Sequence, residues 1–175
     1  MLRSIIHWIF AVCALMGLIL VAISLIEPTP NAGGLPHPVF PGMVIGGDGS
    51  ARLADISILA FLFQSLLLLL IVLLSILGVN EERRSPKFMG YMAACFVFML
   101  FIWWQMYSSH QHFLETGETG YFFGFPTATA WQVYGTWLCA IPLIVLYSVG
   151  FRQFVYSKED EKKFQALLEE SRKQS

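Results

Sequence analysis

The chain alternates between long apolar stretches and short polar ones, and the length of the apolar stretches is what first limits the choice of fold. Four runs carry almost nothing but aliphatic and aromatic residues: 5–26, 56–79, 88–109 and about 129–151. Each is longer than the roughly 20 residues a helix needs to cross a hydrocarbon core of about 30 Å. The pattern therefore predicts an all-α integral membrane protein with four transmembrane helices. They make up a domain over residues 1–156, followed by a short amphipathic helix in a tail over residues 157–175. The first run is too long for the apolar core of a cleaved signal peptide, which is about 7 to 15 residues, so it is read as a retained helix.

The polar segments between the runs set the expected orientation. Lys and Arg collect in cytoplasmic loops, and 10 of the 11 basic residues fall on one side: Arg3, the connection with Arg83, Arg84 and Lys87, and the tail after helix four. The other side holds Arg52 with Glu27, Asp48, Asp55, Glu115 and Glu118. Both termini are thus expected in the cytoplasm. Aromatic residues mark the expected boundaries, with Trp8 and Tyr91 inside and Trp103, Trp104, Tyr107 and Trp131 outside. Tyr147 is expected to lead helix four back out. Trp137 lies deeper and is expected to pack on another helix.

Segment 27–55 carries five prolines and six glycines, so it cannot sustain a helix and reads as an extracytoplasmic loop. Its Leu35, Val39, Phe40, Met43, Val44 and Ile45 suggest contact with the protein or membrane surface. Its Asp48-Gly49-Ser50 reads as a turn, because the full calcium-loop pattern is missing. Helix two is nearly continuous leucine and is expected to face lipid or a partner. Small-residue pairs that let helices approach are Cys13 with Gly17, Gly90 with Ala94 and Gly135 with Cys139, which points to helices one, three and four for the closest packing. Pro142 removes an amide donor inside helix four and predicts a kink. Thr127 or Thr129 is the expected cap of that helix.

In the tail, Ser157 followed by Glu159 and Asp160 reads as a helix start. Phe164, Leu167 and Leu168 then fall on one face. A helix this short needs something to dock on, either headgroups or a protein partner.

Composition narrows the chemistry. Only 13% of residues are charged, against about 25% in soluble domains, and the net charge is -1, so nucleic-acid binding is not expected. The three cysteines form no CxxC pair, and no phosphate-binding, nucleophile-elbow or zinc-protease motif occurs. The interiors of the runs hold no Asp, Glu, Lys, Arg or His, which disfavours an ion-coupled carrier acting alone. His37, His110 and His112 on the outer side are the candidates for a metal, but no characteristic ligand spacing is present, so neither metal nor cofactor is expected.

The segment from Gly120 to Trp131 is rich in aromatic residues and suits an element dipping into the outer interface. Residues Phe125 to Trp137, with Pro142, Tyr147, Gly150-Phe151 and the tail from Ser157 to Phe164, resemble small bacterial membrane proteins of unassigned function that accompany sodium/solute symporters. The likeness covers about the last 45 residues. It implies a non-enzymatic accessory subunit beside a larger membrane protein such as a symporter. The expected contact residues are Phe164, Leu167, Leu168, Phe125 and Trp131. Two other readings stay open: a membrane anchor for a quinone- or haem-dependent redox enzyme, motivated by Trp103 to Tyr107 with His110, and a small channel lined by Gln64, Gln105, Gln132 and Thr136.

Overall fold

The computed structural model describes residues 2–27, 34–46 and 53–174. Arg52, the Asp48-Gly49-Ser50 turn, and Pro28 and Pro30 lie outside them. Four helices are long and apolar enough to cross a membrane: α1 (Ser4–Leu25 of a helix that starts at Leu2), α2 (Ser57–Leu77), α3 (Pro86–Thr116) and α4 (Thr127–Val149). A fifth, α5 (Lys158–Gln174), follows after a π-turn at Phe151–Val155. Two small antiparallel ladders interrupt the helices. Strand β1 (Leu35–Pro36) pairs with β2 (Val44–Ile45), and β3 (Tyr121–Phe122) with β4 (Phe125–Pro126).

Helix α3 is longer than the apolar run predicts. At about 1.5 Å per residue its 31 residues extend about 46 Å, well beyond a hydrocarbon core of about 30 Å. The extension is possible because the polar residues after Ser109 are acceptable helix formers, and Gly117 stops the helix in the left-handed region at φ 71°, donating its N–H to Phe113 O at 2.8 Å. His110, His112 and Glu115 consequently sit on the helix, not in a segment after it.

The helices pack in chain order, α1 on α2, α2 on α3 and α3 on α4. Helix α2 therefore packs on both α1 and α3 while Ile58, Leu62, Ile71 and Leu74 stay exposed on its other side, and α1 leans on α2, not on α3 and α4. The core gathers Val72, Ile76, Val79, Phe88, Met92 and Leu146 at the end of the bundle that carries Arg83, Arg84 and the tail. Of the small-residue pairs only the last packs closely. A Cβ on Gly135 would meet Ile102 Cγ2 at 2.6 Å, whereas one on Gly17 or Gly90 would meet nothing within 4 Å. Cys13 is exposed, Cys139 half-buried and Cys95 buried. Trp137 is 77% exposed, so it does not pack on another helix. Its neighbours on the chain explain why: Gly135 turns inward on Ile102, and positions one or two residues further point about 100° to 200° around the helix.

Three aromatic side chains tie α2, α3 and α4 through backbone carbonyls. Trp103 Nε1 donates to Phe61 O at 3.1 Å, Tyr147 Oη to Ser75 O at 2.6 Å, and Tyr91 Oη to Pro142 O at 2.8 Å. Helix α4 stays α-helical through Pro142, and its irregular turn falls earlier, as a π-turn at Trp131–Gly135. Its N-terminus has no side-chain cap: Pro126 occupies the cap position, and Thr127 N–H is taken by Gly120 O at 2.9 Å. The hairpin thereby does the work expected of Thr127 or Thr129.

Gly135→Ala is expected to lower stability by about 1 to 3 kcal/mol by overpacking against Ile102, while Gly90→Ala is expected to leave it unchanged or slightly raised. Thermal unfolding of both variants in detergent, followed by circular dichroism, checks this; equal melting temperatures would contradict the close approach at Gly135.

Candidate functional site

Helices α2 and α4 meet at the tail end, where Tyr147 reaches Ser75, but toward the other end they leave an open groove over α3. The outer part of this groove is a cavity of about 450 Å³ whose walls include Ser57, Phe61, Trp103, Tyr107, His110 and Gln132. A second cavity of about 250 Å³ continues along the same three helices, sharing Trp103, Met106 and Gln132 and adding Gln64, Thr136 and Cys139. Three of the four polar residues considered as a channel lining are thus brought together, and Gln105 is not among the walls. Among the described residues no Asp, Glu, Lys or Arg lines either cavity.

The aromatic wall is held in place by its own contacts. Phe61 lies parallel to Trp103 with ring centres 5.8 Å apart and is tilted against Tyr107 at 4.7 Å. Because Trp103 Nε1 is bonded to the Phe61 carbonyl, the indole is fixed to α2 rather than free to meet headgroups. His110 contributes the most informative atom: its Nε2 is buried and has no hydrogen-bond partner among the described residues. Buried polar atoms of this kind cost free energy unless something completes them.

The other candidate histidines are elsewhere. His37 closes its own turn, its Nδ1 accepting from Val39 N–H at 3.1 Å and Phe40 N–H at 3.2 Å. His112 is exposed on α3. Among the described residues no three His, Cys, Asp or Glu side chains are grouped for a metal ion.

Two surface elements flank the groove at opposite ends of the bundle. The Tyr121–Pro126 hairpin turns through Phe123 and Gly124, both with positive φ (46° and 80°), which is the two-residue turn that matches strand twist. Glycine accepts this conformation freely, whereas Phe123 adopts it at a cost of about 1 to 2 kcal/mol. Ring contacts hold it there: Phe122, Phe123 and Phe125 each sit 6.0 Å from Tyr134 on α4. Tyr121, Phe122, Phe123 and Phe125 nevertheless remain exposed. Trp131 is half-buried, edge-on to Phe101 at 6.1 Å, and walls the inner cavity.

At the tail end, Arg84 is 8% exposed and donates from Nε and Nη2 to Val79 O at 3.0 and 2.8 Å and from Nη2 to Leu77 O at 3.3 Å, covering the carbonyls at the end of α2. Arg83 reaches the start of α5 instead. It pairs with Asp160 and donates to Ser157 Oγ at 2.8 Å. Ser157 and Asp160 cap each other, with Ser157 N–H donating to Asp160 Oδ2 at 2.9 Å and Asp160 N–H to Ser157 Oγ at 3.3 Å. A second ion pair joins Arg152 to Glu161 at 2.6 Å. The amide of Ser157 and the Arg83 guanidinium hold the Asp160 carboxyl down at about 2. Sequence reading found the cap but not the arginine anchors, which depend on residues 74 and 77 positions apart.

No family model, curated protein or solved structure matches the chain. The likeness to symporter-associated proteins therefore rests on the residues quoted for it alone.

A carboxyl whose folded pKa is depressed stabilises the fold above its ordinary value of 3.8 and ceases to do so as pH falls through about 2. A spin label at Gln165 is expected to report an anchored α5 at pH 5 and progressive release between pH 4 and 2. Asp160→Asn is expected to be released already at pH 5; a wild-type-like spectrum in that variant would remove the Arg83–Asp160 anchor from the account.

Proposed function

We propose that this multi-pass membrane protein is a non-enzymatic accessory subunit of the bacterial inner membrane that assembles with a larger membrane protein, a solute transporter such as a sodium/solute symporter. The observation that carries the reading is the state of α5. Its start is anchored by Arg83 and Arg152, yet Phe164, Leu167 and Leu168 are left 55%, 63% and 45% exposed. An apolar stripe held in a defined direction is suited to docking, because little ordering entropy remains to be lost when it is covered.

The charge of α5 favours a protein over the bilayer surface as what covers it. Helices that lie on anionic membranes are rich in Lys and Arg. Here Lys158, Lys162, Lys163, Arg172 and Lys173 are matched by Glu159, Asp160, Glu161, Glu169 and Glu170, so five positive charges meet five negative ones. At the opposite end the aromatic hairpin, with Phe125 beside Trp131, supplies a second exposed apolar element. The one-sided basic residues support an orientation with both termini in the cytoplasm.

Replacing Phe164, Leu167 and Leu168 together with Ser is expected to abolish stoichiometric recovery of the partner when a C-terminally tagged chain is purified from native membranes in mild detergent. Insertion into the membrane is expected to be unaffected. Recovery of the same partner at full yield would remove α5 from the interface, and recovery of redox subunits instead of a carrier would overturn the transporter assignment.

A further inference from the structure

The connection between α1 and α2 carries an exposed apolar element of its own. Residues 28–47 contain no Asp, Glu, Lys or Arg. Within this stretch β1 and β2 pair Leu35 with Ile45 and Pro36 with Val44. Side chains alternate across a ladder, so Leu35 and Ile45 fall on one face and Val44 on the other. Both faces are exposed, and so are Val39, Phe40 and Met43 between the strands. A ladder covered on one side alone alternates apolar with polar residues, just as α5 keeps its apolar stripe on one side and charge on the others. Here neither face is polar, which suits a medium that surrounds the element and not a partner that covers one side of it.

The backbone of this segment also has few donors left to satisfy. Pro36, Pro38 and Pro41 have no N–H. His37 Nδ1 accepts from Val39 N–H at 3.1 Å and Phe40 N–H at 3.2 Å. His37 N–H donates to Met43 O at 2.9 Å, and Met43 N–H to Phe40 O at 3.2 Å. Seven of the eleven residues from Leu35 to Ile45 therefore bring no free amide donor. Unsatisfied backbone donors are what keep irregular chain out of apolar surroundings. A two-stranded ladder still has open edges, which the hydrocarbon core excludes, so the depth that fits is the boundary between headgroups and acyl chains. Both ends of the segment lead there, because α1 finishes at Leu25 and α2 begins at Ser57.

We propose that the 34–46 hairpin is embedded in the lipid leaflet beside it, with Val39, Phe40 and Met43 among the upper acyl chains and His37 holding the donors of the turn. The lipid is recognised through its acyl chains and not through headgroup charge. This anchoring is independent of the accessory-subunit reading, which uses α5 and the aromatic hairpin.

The test uses the full chain in phosphatidylcholine nanodiscs with a nitroxide at Val39, introduced through a ketone-bearing amino acid so that the three cysteines stay in place. Relaxation by oxygen, which concentrates among acyl chains, is compared with relaxation by a water-soluble nickel chelate. Oxygen is expected to dominate, and to the same extent when phosphatidylglycerol is added. Phe40→Asp together with Met43→Asp is expected to reverse the ratio in favour of nickel. His37→Ala, which frees two amide donors, is expected to shift it the same way. His37→Asn, whose side-chain oxygen can accept from amides two and three residues on, is expected to recover most of that shift. A wild-type label reached mainly by nickel places the hairpin in water, and one reached by neither reagent places it against protein; either result overturns the proposal. So does an oxygen preference that requires phosphatidylglycerol, or one that persists unchanged in all variants. Melting temperatures of the variants separate a displaced hairpin from an unfolded bundle.

Discussion

A donor buried in hydrocarbon has no water to turn to, and in this protein that constraint sets how the helices stand against one another. Trp103, Tyr147 and Tyr91 each carry one polar hydrogen into the bundle, and each places it on a backbone carbonyl of a neighbouring helix: Phe61 and Ser75 on α2, Pro142 on α4. The three bonds link α2 to α3, α2 to α4 and α3 to α4. Interhelical bonds in membranes contribute only about 0.6 to 2 kcal/mol each. Their geometric effect is larger, because a bond to one particular carbonyl selects one register along the helix.

The position of these bonds explains why one end of the bundle is closed and the other open. Tyr147 and Tyr91 act beside the buried cluster of Val72, Ile76, Phe88, Met92 and Leu146, where the helices are drawn together. Trp103 acts further along α3 and binds α2 alone. With α4 held to α3 there by Gly135 against Ile102, nothing draws α2 and α4 together, and the groove lined by His110 and Gln132 is what remains. Close packing and an available cavity are thus two consequences of the same arrangement.

The termini of the bundle are finished by different chemistry. Arg84 covers the last carbonyls of α2, while its neighbour Arg83 holds the first turn of α5, so two adjacent basic residues serve two helices. At the other end a strained Phe123 is kept in place by rings around Tyr134. Each device leaves apolar side chains facing outward in a fixed direction, Leu167 in one case and Phe123 in the other.

The four spans, the tail helix and its Ser157 cap were legible in the sequence, because span length and local capping depend on residues close together in the chain. The extension of α3 to Thr116 was not, since hydropathy ends where the apolar residues end whereas a helix ends where its cap lies. Packing order was also beyond the sequence. Helix α2, nearly all leucine, carries no pattern that distinguishes lipid from protein as a neighbour, and Trp137 and Trp103 are the same residue type with opposite surroundings. The small-residue pairs looked equivalent, but only Gly135 meets another helix. Gln64, Gln132 and Thr136 were recognisable as polar residues in apolar surroundings, and the approach of α2, α3 and α4 decided that they share the inner cavity, while Gln132 also lines the outer one with His110. The sequence determined which segments enter the membrane, through the cost of leaving polar backbone and charge in hydrocarbon. The tertiary structure decided which side chains meet, because contacts between residues far apart in the chain depend on helix rotation and register, and both follow from a few interhelical bonds.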